Sequence, residues 1–248
     1  MAFTIAFSGK GGVGKTTLCG LLIRYMVEND RYPILAVDAD SNYNLNEVLG
    51  LEVETTLGEI REQMKKGEVP PGMTKDRFID TKSEEALIET DKFDLLVMGR
   101  PEGPGCYCAA NTLLTNFLTR LVGNYDYIVI DNEAGMEHIS RLTTKDVDAL
   151  IIVSDISKRG LQAAKRINEL ARSLHVVIGR GYLVLNNVEG ELSDGVKKYI
   201  DDTGLEFLGC VMKDPKIQQY DMMGKPTFEL PADSVAVKSA YEIFKRIV

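Results

Sequence analysis

Short apolar runs rich in Val, Ile and Leu alternate along this chain with longer stretches whose apolar positions recur at helical spacing. The short runs are Phe3–Ser8, Pro33–Asp38, Asp94–Met98, Tyr127–Asp131, Ala149–Ser154, Tyr182–Asn186 and Phe207–Met212. They are apolar without strict alternation, as strands covered on both faces must be. Helices are expected at Lys15–Asn29, Asp76–Thr90, Thr112–Val122, His138–Thr144, Lys158–Leu174, Leu192–Thr203 and Ser234–Ile247, with a short one at Asn44–Leu49. This order predicts an α/β fold: one domain over residues 1–248, a mostly parallel sheet with helices on both faces. In such sheets ligands sit at the carboxyl ends of strands, and every candidate motif below falls at such an end. Lys65–Thr74 reads as a surface loop within that domain.

The first strand runs directly into Gly9-Lys10-Gly11-Gly12-Val13-Gly14-Lys15-Thr16-Thr17. This fits the G-x-x-x-x-G-K-[ST] phosphate loop, between a strand and a helix as the pattern requires. Glycines let consecutive N–H groups turn inward around a phosphate chain. The helix beginning near Lys15 presents its positive end to the same anion. Lys15 is placed to reach the β- and γ-phosphates, and the Thr16 hydroxyl to ligate Mg²⁺. A P-loop nucleoside triphosphatase is expected.

With Lys10 as a second lysine, the loop resembles that of the MinD/nitrogenase-iron-protein class of ATPases. The resemblance implies that Lys10 crosses a homodimer interface to the nucleotide of the partner subunit, so that pairing depends on ATP. It also implies roles for Asp38 and Asp40 at the end of the second strand. Asp38 would hold the Mg²⁺ water shell, and Asp40 would position or activate the attacking water. The competing reading is that one of these carboxylates caps the helix at Asn44–Leu49. Tyr127–Asp131 has the form of a Walker-B strand, so Asp131 is expected to contact Mg²⁺ through water. Gly135 would offer its N–H to the γ-phosphate. Asn186 would recognise the adenine edge, its amide offering both donor and acceptor, or would simply be a turn residue. Met212–Pro215 is expected to close over the base.

Charge and composition narrow the class. A net charge of −8 carries no basic footprint for nucleic acid. No apolar run approaches the roughly 18 residues of a membrane span, and the N-terminus lacks an export signal. A cytoplasmic location is expected, in which Cys19, Cys106, Cys108 and Cys210 stay reduced.

Cys106 and Cys108 stand apart, in the loop Gly103-Pro104-Gly105-Cys106-Tyr107-Cys108. Thiols at i and i+2 lie on one side of an extended segment and can share a soft metal ion. Two copies facing each other would supply the four thiolates of a closed site. A buried apolar role, a strained local disulfide and a redox pair are the alternatives. Together with the segment Ala134-Gly135-Met136-Glu137-His138, the Cys106–Asn111 loop resembles the nickel-insertion ATPases of the CooC/AcsF type. That resemblance implies a dimeric ATPase carrying Ni²⁺ (or Zn²⁺) between paired cysteine loops. It would deliver the metal to carbon monoxide dehydrogenase or acetyl-CoA synthase. The roles of Glu133, Glu137 and His138 are left open by the motif.

Two other functions fit the same superclass. A membrane-associated spatial regulator like MinD would need the C-terminal helix as an amphipathic anchor, whereas apolar spacing there equally suits packing on the sheet. An iron–sulfur reductase like the nitrogenase iron protein would take a cysteine from the second switch, and Asp131–Ser140 contains none.

Overall fold

The computed structural model describes residues 2–100, 116, 119–132, 146–173 and 177–248. The strands are β1 (Phe3–Gly9), β2 (Ile34–Asp38), β3 (Ile88–Glu89), β4 (Phe93–Val97), β5 (Tyr127–Asp131), β6 (Asp146–Ser154), β7 (Val177–Val188) and β8 (Glu206–Met212). Helices with described bounds are α1 (Lys15–Glu28), α2 (Leu45–Leu49), α3 (Leu57–Lys65), α4 (Lys75–Glu85), α5 (Lys158–Ser173), α6 (Asp194–Asp201), α7 (Pro215–Met222) and α8 (Val235–Phe244). The expected helices at 112–122 and 138–144 fall largely or wholly outside the described residues.

The strands form one sheet in the order β3-β4-β2-β5-β1-β6-β7-β8. All pairings are parallel except β3 with β4, which closes one edge as a short antiparallel turn-back. The core obeys the two-residue period of a strand. Ile5, Phe7, Ile34, Ala36, Val129, Ile151 and Val184 point to one face, where α1, α2 and α8 cover them. Ala6, Leu35, Val37, Ile128, Ile130, Ile152 and Leu183 point to the other, beneath α3, α4, α5 and α6. The chain is thus a single α/β layer structure with its strand ends aligned on one rim.

Several boundaries differ from expectation for local reasons. The helix expected at Asp76–Thr90 stops at Glu85, and Ile88–Glu89 pairs with Leu95 and Asp94 instead. Helix α3 was not anticipated, although Thr56 and Glu59 form a reciprocal capping box at its start. Helix α7, directly after the expected Met212–Pro215 loop, was not anticipated either; Asp214 caps it and Pro215 occupies its first turn. The C-terminal helix buries Ala236, Val237, Ala240, Ile243 and Phe244. Its rings meet α1, with Tyr241 and Phe244 centred 5.0 and 6.0 Å from Tyr25. Its apolar face is therefore spent on the core, the packing reading of the two. Among the described residues no helix is long and apolar enough to cross a membrane.

Candidate nucleotide and metal site

Strand β1 ends at the centre of the sheet, and its loop adopts conformations that demand glycine: φ is 151° at Gly9, 75° at Gly12 and 87° at Gly14. Space is equally restrictive. A Cβ on Gly9 would stand 2.3 Å from the Val153 carbonyl oxygen, and one on Gly14 would stand 2.3 Å from Asn186 Nδ2. Gly14 turns left-handed immediately before α1, and no side chain caps that helix among the described residues. Its first N–H groups are thus open to an anion. Lys15 is buried, its ammonium 3.5 Å from the Lys10 carbonyl oxygen, while the Lys10 side chain is exposed.

The loop is flanked by two cavities. One, of 770 Å³, is lined by Gly11, Gly12, Gly14, Lys15, Thr16 and Thr17, with Asp40 and Lys225 across from them. The other, of 510 Å³, is lined by Val13, Asp155, Asn186, Asn187 and the Met212–Pro215 segment. Thr17, Val48, Asp221 and Thr227 line both, so the cavities adjoin. A phosphate chain fits the first beside Lys15 and the open N–H groups at the start of α1, and a base the second by its mixed polar and apolar walls.

The carboxylates divide their tasks unequally. Asp38 is fully buried. Its Oδ1 accepts from the Asp40 N–H at 3.0 Å, and its Oδ2 accepts from Asn44 N–H at 2.9 Å and Leu45 N–H at 2.8 Å. Asp38 is therefore the carboxylate that holds the start of α2, with one lone pair on Oδ1 still open. Asp40 is half-buried, faces the larger cavity, and accepts from the Asn42 N–H at 2.8 Å.

Asp131 pairs in register with Asp38 across the β2–β5 ladder. The Thr16 hydroxyl hydrogen-bonds to it. Its Oδ1 is buried and has no hydrogen-bond partner among the described residues. Burial, then the charge of Asp38, push Asp131 up to about 7 against the opposing pull of Thr16 and Lys15. Burial pushes Asp38 up to about 6, partly offset by the N–H groups of Leu45, Asp40 and Asn44. An orphaned carboxylate oxygen beside a hydroxyl and a second carboxylate is a hard oxygen donor set, and it fits a hydrated Mg²⁺ that takes its other ligands from phosphate and water. Among the described residues no group of three or more His, Cys, Asp or Glu could hold a metal by itself.

Asn186 occupies a place the sequence did not suggest. Its Nδ2 donates to the Val13 carbonyl at 2.8 Å, tying the end of β7 to the phosphate loop. Asn187 follows at φ 58°, within a register shift between β7 and β8. Asp155, Asp221, Lys225 and Thr227 line the cavities and were not foreseen. Asp155 alone carried a signal, as the capping acid of an Asp-x-Ser turn after a strand. Cys19 is buried in the core and Cys210 is half-buried, both as free thiols. Burial, then the charges of Asp131 and Asp38, hold the Cys19 thiol well above its usual range. Cys106, Cys108, Glu133, Gly135, Glu137 and His138 lie outside the described residues.

The CobQ/CobB/MinD/ParA nucleotide binding domain model matches residues 4–227. The chain is 46% identical over 248 residues to an uncharacterized ATP-binding protein of Methanocaldococcus jannaschii, spanning 98% of each. It is 32% identical over 246 residues to the carbon monoxide dehydrogenase accessory protein CooC of Rhodospirillum rubrum, spanning 91% of this chain and 89% of that one. A ParA family ATPase from Chlorobium tepidum shares its fold, with a TM-score of 0.75 at 17% identity over 100% of both chains.

Proposed function

Since the chain belongs to the CobQ/CobB/MinD/ParA nucleotide-binding family, we propose that it is an ATPase that pairs with a second copy around ATP and carries nickel to a client enzyme. Residues 1–248 act as its one ATPase domain. The observation that carries the ATPase half is the orphaned Asp131 oxygen beside Thr16, directly under an open phosphate loop. Magnesium, when bound, would neutralise negative charge on the phosphates.

The residues then have distinct work. Lys15 and the N–H groups of Gly11 to Thr17 hold the phosphates. Thr16 and Asp131 would hold the metal, and the remaining lone pair of Asp38 would accept from a water bound to it. Asp40, on the cavity wall, orients the attacking water in line with the leaving phosphate. Asn186 has committed its amide N–H to Val13, which leaves its Oδ1 to accept from the amino group of adenine. Lys10 is exposed at the mouth of the loop, and Gly135 would contribute a backbone N–H. Lys10 reaches the nucleotide of the partner subunit.

Support for nickel is of a different kind. The relative from Rhodospirillum rubrum is named for carbon monoxide dehydrogenase, and this chain carries the Cys106/Cys108 pair. Two copies would enclose Ni²⁺, or Zn²⁺, in four thiolates on the dimer axis, so that hydrolysis and metal transfer share one conformational change. Carbon monoxide dehydrogenase or acetyl-CoA synthase is the client. Phosphate release from ATP, followed with and without Mg²⁺ in wild type and Lys15→Ala, tests the ATPase half. Mg²⁺-dependent turnover abolished by the substitution is expected; its absence in wild type would sink the reading.

A further inference from the structure

Helix α5 carries cations in a pattern that none of the nucleotide chemistry uses. Lys158 and Arg159, Lys165 and Arg166, and Arg172 recur at seven-residue intervals. Seven residues are close to two helical turns, so the five cations form a double row along a helix about 24 Å long. All five are exposed. Glu169 is the sole acid on the helix. The opposite side, Gly160, Leu161, Ala164, Ile167, Asn168 and Ala171, is buried on the sheet.

Little among the described residues answers this charge. Lys158 stands over the Tyr199 ring at 5.5 Å, and Arg172 donates to the Gly204 carbonyl at 3.3 Å. Arg159, Lys165 and Arg166 make no ion pair among the described residues, whereas Lys65, Lys82, Lys197 and Lys245 each pair with an acid three residues away, and Lys216 pairs with Asp233. In a chain of net charge −8 this is a concentrated region of the opposite sign.

We propose that the exposed face of α5 is a docking surface for an acidic face of a partner protein. Charge complementarity selects that occupant. A membrane surface is disfavoured because the apolar side of α5 is consumed by the core, leaving nothing to insert between lipids. Nucleic acid is disfavoured because the rest of the surface is net negative and would repel a long polyanion. A compact acidic protein patch matches one helix length and avoids both penalties. The ridge also starts next to the smaller of the two cavities. Asp155 lines the smaller cavity and accepts from the Ser157 N–H at 2.9 Å, and the Ser157 hydroxyl accepts from the Gly160 N–H at 3.0 Å. A Cβ on Gly160 would meet Asp155 Oδ1 at 2.2 Å, so this cap is packed without slack.

The test uses the full chain and a fluorescein-labelled polyglutamate peptide as long as the helix. Anisotropy should show saturable binding that weakens as salt rises. Lys165→Glu/Arg166→Glu should lower affinity at least about tenfold while leaving basal ATP hydrolysis and thermal midpoint unchanged. Lys238→Glu, on the opposite side of the sheet, should have no effect. Phosphatidylglycerol vesicles and duplex DNA are run beside the peptide. No peptide binding, binding indifferent to the double substitution, or tighter binding to vesicles or DNA would each overturn the proposal.

Discussion

Asp38 and Asp131 are register partners on adjacent parallel strands, and only one of them has its oxygens answered. Asp38 spends its carboxylate on three backbone N–H groups, while Asp131 keeps a buried Oδ1 without a partner among the described residues. The two substitutions to Asn should therefore diverge. Asp131→Asn relieves a buried charge, so the metal-free protein should lose no stability by thermal melting. Mg²⁺-dependent ATP turnover should nevertheless fall about a hundredfold or more. Asp38→Asn should destabilise the protein by about 1–3 kcal/mol, because an amide cannot accept all three N–H bonds.

Gly14 and Asn186 form a second pair with a directional outcome. Gly14→Ala combines a strained φ with a 2.3 Å contact to Asn186 Nδ2. It should cost about 1–3 kcal/mol and abolish nucleotide binding. Asn186→Ala removes the contact and leaves the Val13 carbonyl unanswered, at about 1 kcal/mol. Combined, the two should cost less than their sum, which a denaturant double-mutant cycle reads directly.

Lys10 should separate binding from pairing. Its side chain is exposed, and only its carbonyl faces Lys15. Lys10→Ala should leave ATP affinity of the monomer within about twofold while sizing shows loss of the ATP-dependent dimer and turnover drops with it. Equal dimerisation in the variant would contradict the partner-crossing role.

Asp214 joins α7 to α8. Its Oδ1 accepts from Lys216 N–H at 2.9 Å, and its Oδ2 from the Ser234 hydroxyl at 2.6 Å and Val235 N–H at 3.0 Å. Burial pushes its carboxyl up, but the bonds from Ser234 and from the Lys216, Ala236 and Val235 N–H groups outweigh burial and hold it below the usual range. A depressed native value stabilises the fold above the unfolded value near about 3.9 and is lost as pH falls through the native one. Asp214→Asn should therefore destabilise at neutral pH by about 1–3 kcal/mol. The difference from wild type should shrink as acid denaturation is carried below about pH 4.

Hydrophobic pattern and turn chemistry made much of this legible. All seven expected strands are present, because strands buried on both sides must be apolar throughout. Lengths were less legible: β7 begins at Val177 rather than Tyr182 because Gly179-Arg180-Gly181 breaks the apolar run while the backbone still pairs with β6. Strand order is set by crossovers that no local pattern records. Helix α3 carried the Thr56/Glu59 capping box and Leu57, Ile60 and Met64 at helical spacing, but over two turns only, too short a run to stand out. At the site, the phosphate loop was readable because its geometry requires glycine and lysine at fixed spacing. The walls formed by Asp155, Asp221 and Thr227 come from separate elements, and nothing in sequence brings them together. The alternative that one of two acids caps α2 resolved to Asp38, which depends on the direction β2 enters its turn.

Metal capture coupled to nucleotide-driven pairing would be visible in an anaerobic nickel titration followed by sizing. It is run without nucleotide, with ADP and with a non-hydrolysable ATP analogue, beside Cys106→Ser/Cys108→Ser. About one nickel per two chains in a dimer is expected, lost in the double variant while ATP binding persists. Nickel that fails to bind, or binds equally without the two thiols, would contradict that coupling.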